Sequence, residues 1–170
     1  SYFDGHFELS IIYLYKQQYE KALAEAEKLV ALAPENADDY AHLADIFNHT
    51  GRSGEAIEMV EQAMQLNPAF PAWYLRTLGV AYRLSARLTE AVATLKKVFD
   101  YNTSHENALN AHLSLAILYV ELGQEEDARA EADEILKLLP IFSVEIWGQR
   151  NPNIDQTQIV RDMAALRKAG

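Results

Sequence analysis

The sequence contains no cysteine and few residues that break helices. Seven Gly and five Pro occur among its 170 residues. Without cysteine there is no disulfide framework, thiolate metal site or cysteine nucleophile, and we expect a reducing, cytoplasmic location. Because apolar residues recur at helical spacing with few interruptions, the pattern predicts an all-α chain.

The chain also lacks long apolar runs and an excess of basic residues. No segment reaches the roughly 18 consecutive apolar residues of a membrane-spanning helix, so we expect no membrane contact by this part of the chain. Fifteen Lys and Arg stand against 25 Asp and Glu, which gives a formal net charge of -10. A surface of this sign repels phosphate backbones, so we expect no nucleic-acid partner.

Internal repetition is the informative feature of the sequence. Pro34 and Pro68 lie 34 residues apart, and each closes a helical pattern. Around them, small and aromatic residues recur in the same order in four successive units. The small residues of the first helix are Ser10, Ala44, Gly79 and Ala116, those of the second helix are Ala22, Ala56, Ala91 and Ala128, and the aromatic residues are Tyr13, Phe47, Tyr82 and Tyr119. Small side chains let two helices approach closely, and aromatic rings fill the gaps that they leave.

The pattern from about Phe3 to Pro140 resembles the tetratricopeptide repeat family, whose period is 34 residues. The resemblance implies an all-α, right-handed solenoid of four helical hairpins with a C-terminal capping helix. The hairpins are expected at about residues 3–36, 37–70, 72–105 and 109–141, in a domain over residues 1–140. A tail follows over residues 142–170.

Two regions depart from the regular repeat. The sixth helix is expected over residues 88–100, after which the register slips by three residues. The seventh helix is therefore predicted to start early, with Thr103 and Glu106 as its capping box. In the tail, Asp155 is expected to cap the last helix, whose apolar stripe of Ile159, Met163 and Leu166 requires a partner surface.

The tail carries a second resemblance. Residues 142–147, with Asn151, Pro152 and the last five residues, are similar to the C-terminal ends of bacterial signalling proteins, in which repeats follow a nucleotide cyclase or winged-helix domain. This similarity implies a regulatory or self-associating role, with a homodimer as an open alternative. Because the chain begins at Ser1, without Met and inside a repeat helix, we expect further sequence upstream.

The family resemblance further implies a non-catalytic scaffold that binds a protein or peptide segment in the concave groove lined by the first helix of each hairpin. The candidate groove residues are Phe7, Ile11, Tyr15, Asp38, Asp45, Asn48, His49, Trp73, Arg76, Val80 and Arg83. The Lys and Asn by which chaperone-binding members clamp a C-terminal carboxylate are absent from these positions. Trp73, Arg76 and Arg83 instead predict a segment with an acidic residue near an apolar anchor. In the alternative, a neighbouring unit and the final helix cover the apolar positions of units one and four.

Catalytic and metal chemistry fit the sequence less well than a scaffold does. His42, Asp45 and His49 share a helical face, but the two imidazoles are two turns apart, about 10 Å, which is too far for one ion. The sequence contains no nucleophile elbow, phosphate loop or metalloprotease motif. We therefore predict no catalytic residue, metal or cofactor. His6 and His112 occupy the same repeat position, which predicts a packing role.

Overall fold

The computed structural model describes residues 2–170, and the side chains of residues 5–170. Over this range the chain forms ten α-helices and one 3-10 segment, Lys97–Asp100, with no strand. The helices are α1 (Tyr2–Tyr15), α2 (Tyr19–Leu32), α3 (Ala37–His49), α4 (Ser53–Leu66), α5 (Ala72–Leu84), α6 (Leu88–Lys96), α7 (His105–Glu121), α8 (Glu125–Leu138), α9 (Val144–Arg150) and α10 (Gln156–Ala169).

The first eight helices pair into four hairpins, and each hairpin stacks on the next. The first helices of neighbouring units also contact each other, α3 with α5 and α5 with α7. This arrangement confirms the predicted all-α solenoid with a C-terminal helix packed against its last unit.

The small residues lie at the helix crossings, as predicted. Ala22, Ala56, Ala91 and Ala128 are all fully buried. At Gly79 α5 lies very close to α6, because a Cβ atom built there would stand 2.5 Å from Cγ of Leu95. A larger residue at this position would force α5 and α6 apart.

The charged group of a Lys or Arg side chain lies over the ring of each aromatic residue of the repeat. The distances from cation to ring centroid are 5.4 Å for Lys21 over Tyr13, 4.3 Å for Arg52 over Phe47, 4.3 Å for Arg87 over Tyr82 and 5.9 Å for Lys96 over Tyr119. The sequence pattern predicted the aromatic packing but not these cations. Such contacts contribute about 0.5–1 kcal/mol at exposed sites.

The junction between units three and four differs in detail from the prediction. α6 ends at Lys96, and the predicted last turn is the 3-10 segment Lys97–Asp100. α7 has 17 residues and gains an extra N-terminal turn, which confirms its early start. Its cap is Ser104, whose Oγ accepts a hydrogen bond from the Asn107 backbone N–H at 3.2 Å. The prediction of Thr103 as the cap was wrong by one residue, because Thr103 precedes the capping position.

The tail forms two helices that fold back on the array. Asp155 caps α10 as predicted, and its carboxylate accepts from the backbone N–H groups of Thr157 at 2.9 Å and Gln158 at 3.1 Å. Ile159 and Leu166 are buried, and α10 packs against α7, α8 and α9. α9 lies close to α10 at Gly148, where an added Cβ would collide with the Met163 sulfur. Among the helices that the structure describes, none is long and apolar enough to cross a membrane.

Candidate functional site

The first helices of units one to three surround an open groove of about 850 Å³. α1, α3 and α5 form its walls, and residues of the extra turn of α7 also line it. The side chains that face it include Phe7, Glu8, Ile11 and Tyr15 of α1, Asp38, Asp39, His42 and Asp45 of α3, Trp73 and Arg76 of α5, and Glu106 and Asn107 of α7. The early start of α7 therefore shapes the groove.

The structure brings part of the candidate set together in this groove. Seven candidates line it, namely Phe7, Ile11, Tyr15, Asp38, Asp45, Trp73 and Arg76. The other four, Asn48, His49, Val80 and Arg83, lie outside its lining. The sequence spacing placed all eleven on the concave face but could not show where the groove is open.

The apolar part of the groove is accessible to solvent and held in place. The side chains of Phe7 and Tyr15 are 43% and 63% exposed. The ring of Phe7 lies 4.3 Å from that of His42, and the ring of Trp73 packs edge-on against Tyr74 at 4.6 Å between centroids. Fixed aromatic rings that remain open to solvent are suited to anchoring a partner.

Carboxylates dominate the charge of the groove. Five line it, from Glu8, Asp38, Asp39, Asp45 and Glu106, against the single guanidinium of Arg76. Burial acts to raise the pKa of the Asp45 carboxyl, but the positive charge of Arg76 is the main influence that lowers it on balance. Because Arg76 Nη2 lies 3.5 Å from Asp45 Oδ1, its charge is already opposed.

The Tyr74 hydroxyl and the side-chain amide of Asn36 organise the start of α3. Tyr74 donates to the Asp38 carboxylate at 2.7 Å, and Asn36 donates to that of Asp39 at 2.9 Å. Burial raises the pKa of the Asp39 carboxyl. Asp38 itself remains exposed and lines the groove.

A serine and a histidine meet beneath the groove, at a position that the sequence did not reveal. Ser10 Oγ lies 2.6 Å from His42 Nε2, and the same hydroxyl donates to the Phe7 carbonyl at 2.7 Å. Burial lowers the pKa of His42, which favours the neutral imidazole. Because the Ser10 hydroxyl donates to Phe7, its oxygen accepts from Nε2 of His42. Ser10 is fully buried, and the bond joins two repeat units. The signal in the sequence was a hydroxyl at a repeat position that is Ala or Gly elsewhere.

Asn48 and His49 lie at the C-terminal end of α3. Asn48 is buried, and its side-chain amide donates to the Thr77 carbonyl at 3.0 Å. His49 Nε2 stands 3.9 Å from Asp45 Oδ2, while its backbone carbonyl accepts from the Ile154 N–H at 2.9 Å. Within residues 5–170, no three His, Cys, Asp or Glu side chains are placed to hold a metal. His42 is directed at Ser10 rather than at His49.

Arg83 lies outside the open groove and is paired within the chain. Its guanidinium donates to Glu121 at 2.7 and 3.2 Å and to Asp162 of α10 at 3.2 Å, with a second, shorter bond to Asp162. Only 7% of the Arg83 side chain is exposed. Burial acts to lower the pKa of Arg83, but the two carboxylates raise it on balance. This cation is engaged within the chain, so it does not face a ligand in the open groove.

The tail also decides between the open alternatives for the apolar groove positions. Leu113 and Ile117 of α7 are 4% and 3% exposed, in one buried cluster with Ala165 and Leu166 of α10. The final helix therefore covers the groove in unit four. In unit one, Phe7 and Tyr15 stay exposed.

His6 and His112 make equivalent contacts in units one and four. His6 Nδ1 bonds to the Glu25 carboxylate, and His112 Nδ1 lies 2.6 Å from that of Glu131. Both pairs join the two helices of a hairpin across the same interval of 19 residues. The shared repeat position thus corresponds to a shared contact between the two helices of a hairpin, through a polar bond in addition to the predicted packing.

Comparison with known proteins supports the repeat assignment. Models of the tetratricopeptide repeat match residues 3–36 and 40–70. The chain is 30% identical over 94 residues to the TPR repeat-containing thioredoxin TTL4 of Arabidopsis thaliana, an alignment covering 55% of this chain and 13% of that protein. The chain thus spans only a small part of the curated relative that it matches.

Solved structures share the fold at low sequence identity. PilF of Pseudomonas aeruginosa superposes with a TM-score of 0.71 at 18% identity, covering 99% of this chain and 76% of that one. A thermophilic TPR protein of Thermus thermophilus superposes with a TM-score of 0.69 at 22% identity, covering 95% of this chain and 80% of that one. The chain thus has the fold of tetratricopeptide-repeat solenoids. Such repeats form protein–protein interaction modules with extended concave surfaces.

Proposed function

We propose that this chain is a non-catalytic interaction module that binds a segment of another protein in the groove formed by α1, α3 and α5. The supporting observation is the contrast along the concave face. α10 covers the apolar residues of unit four, whereas Phe7 and Tyr15 of unit one remain exposed beside Trp73. Exposed apolar residues grouped in a concave site are typical of interaction surfaces.

The test removes the two aromatic anchors on opposite walls of the groove. Partners are captured with the wild-type protein, and their affinity is then measured for Phe7→Ala combined with Trp73→Ala. Loss of two anchors is expected to weaken binding by about 2 kcal/mol or more, roughly 30-fold. Circular dichroism should show unchanged helical content, since neither side chain is fully buried.

The matched control is Leu66→Ala, because Leu66 is 43% exposed, like Phe7, but lies outside the groove. This variant should bind the partner as the wild type does. If the groove variant also keeps full affinity, binding occurs on another surface and the proposal fails.

A second candidate is self-association of a larger bacterial signalling protein, to which the tail resemblance points. The observation that favours it is the outer face of α1, where Leu9 and Ile12 are 39% and 46% exposed. Light scattering coupled to size exclusion decides this alternative. A mass of one chain at every concentration would count against it, whereas a dimer lost in Leu9→Glu would support it.

A further inference from the structure

We infer that the segment bound in the open groove is basic, with Lys or Arg flanking apolar anchors. This inference rests on the proposed function and specifies its partner. The observation is the imbalance of charge in the groove, where five carboxylates face one guanidinium. Asp45 is paired with Arg76, and Asp39 is buried against Asn36, so the carboxylates of Glu8, Asp38 and Glu106 remain for a ligand to balance.

The exposed carboxylates stand on three different helices around the aromatic residues. Glu8 lies on α1, Asp38 at the start of α3 and Glu106 in the extra turn of α7, and all three are exposed. Within the described residues, none of the three has a Lys or Arg within 4.0 Å. A bound cation would therefore gain a new ion pair without breaking an existing one.

The two arginines of the concave side of α5 are already paired within the chain, which disfavours an acidic segment. Arg76 faces Asp45 at 3.5 Å, and Arg83 is buried between Glu121 and Asp162. An acidic ligand would have to compete with these carboxylates and would meet Glu8 and Asp38 as like charges. This replaces the expectation, drawn from Arg76 and Arg83 in the sequence, of an acidic ligand.

The aromatic residues suit the same kind of segment. Phe7 and Trp73 offer area to aliphatic or aromatic anchors, and the exposed face of Tyr15 can also attract a cation. The whole chain carries a formal charge of -10, which speeds the approach of a basic partner. Charge complementarity of this kind acts on selectivity and association rate as well as on affinity.

The experiment uses three short labelled peptides of equal length that share the same Leu and Phe anchors. Their intervening polar positions are all Lys, all Gln or all Glu. In fluorescence anisotropy at low salt, the Lys peptide should bind roughly tenfold tighter than the Gln peptide, and the Glu peptide should bind most weakly. The advantage of the Lys peptide should shrink as salt is added.

Two pairs of substitutions locate the effect. Asp38→Asn with Glu106→Gln should remove most of the advantage of the Lys peptide over the Gln peptide. The matched control, Glu58→Gln with Glu61→Gln, removes two exposed carboxylates of α4 outside the groove and should leave the advantage unchanged.

The outcomes separate this inference from the proposed function. A preference for the Glu peptide, an unchanged Lys preference in the Asp38 and Glu106 variant, or no binding of any peptide would overturn the basic-ligand inference. If Phe7→Ala with Trp73→Ala weakens whichever peptide binds, the groove proposal stands. If that variant binds every peptide as the wild type does, the groove proposal fails instead.

Discussion

The two halves of the concave surface differ in what faces them. In units one to three the groove is open, with exposed aromatic rings and an excess of carboxylates. From the C-terminal end of α5 through unit four, the same face is covered by α10. The apolar residues of α7 on this face form part of a buried cluster. The repeat fold thus supplies one surface, and the tail decides which part of it remains available.

Arg76 and Arg83 show this difference on a single helix. Both lie on the concave side of α5, two turns apart. Arg76 meets one carboxylate at 3.5 Å and keeps 21% of its side chain exposed. Arg83 meets two carboxylates and is 7% exposed, because α10 brings Asp162 over it. Two arginines on one side of a helix therefore differ in exposure and pairing, according to what covers them.

The largest effect that tests this contrast is expected from Arg83→Met. It would leave Asp162 buried without its positive partner, a change that costs about 3 kcal/mol or more. Arg76→Met, in the open half, should cost less than Arg83→Met, because Arg76 meets one carboxylate at 3.5 Å and both side chains of that pair are partly exposed. Urea denaturation measures both free energies of unfolding.

Combining Arg83→Met with Asp162→Leu provides the control for that prediction. Replacing both partners by apolar residues should recover much of the loss, since the unpaired buried charge is then removed. Equal destabilisation by Arg76→Met and Arg83→Met would show that the tail does not distinguish the two halves.

A smaller effect tests whether the hairpin cores are equivalent in the two halves. Ala22→Leu in unit one and Ala128→Leu in unit four each overpack a fully buried helix crossing. Each is expected to cost about 1–3 kcal/mol. Thermal unfolding would compare them with the exposed change Glu58→Ala, which should be nearly neutral. A neutral Ala128→Leu would mean that the repeat register of unit four is wrong.

The smallest expected effect is the pH dependence of stability, which arises from two histidines of α3 in the open half. Burial lowers the pKa of His42 and of His49 in the folded state, so the unfolded chain takes up protons at higher pH. Stability should therefore fall as pH drops below about 6.5, the ordinary histidine value, and show no such loss above it. Melting temperatures measured on both sides of this value check the direction.

His42→Gln separates the contribution of one imidazole from acid effects elsewhere. The amide can still donate to Ser10 but does not titrate, so the variant should lose less stability on acidification than the wild type. As the pH of the wild-type protein is lowered, amide hydrogen exchange should increase in α3 before it increases in α7. Identical pH profiles for the two proteins would contradict the assignment of a neutral, buried His42.

The repeat pattern predicted the fold well because each of its positions has a local packing cause. The small crossing residues and the Asp155 cap depend on neighbours in sequence or on a fixed period. The ion pair of Arg83 with Asp162 spans 79 residues, and the bond between Ser10 and His42 spans 32. Such contacts depend on how the tail folds back and on which side chain replaces a small one. For that reason the open and covered parts of the groove could not be distinguished from sequence.

The returning tail also bears on how the array can flex. A repeat solenoid can bend along its length, because each unit contacts only its neighbours. Here the tail reaches the end of α3 through Ile154, α5 through Asp162 and α7 through Leu166. We therefore expect the tail to restrict changes in the curvature of units two to four. Bending should then occur mainly between units one and two, where a small rotation of α1 would widen or narrow the groove relative to Trp73.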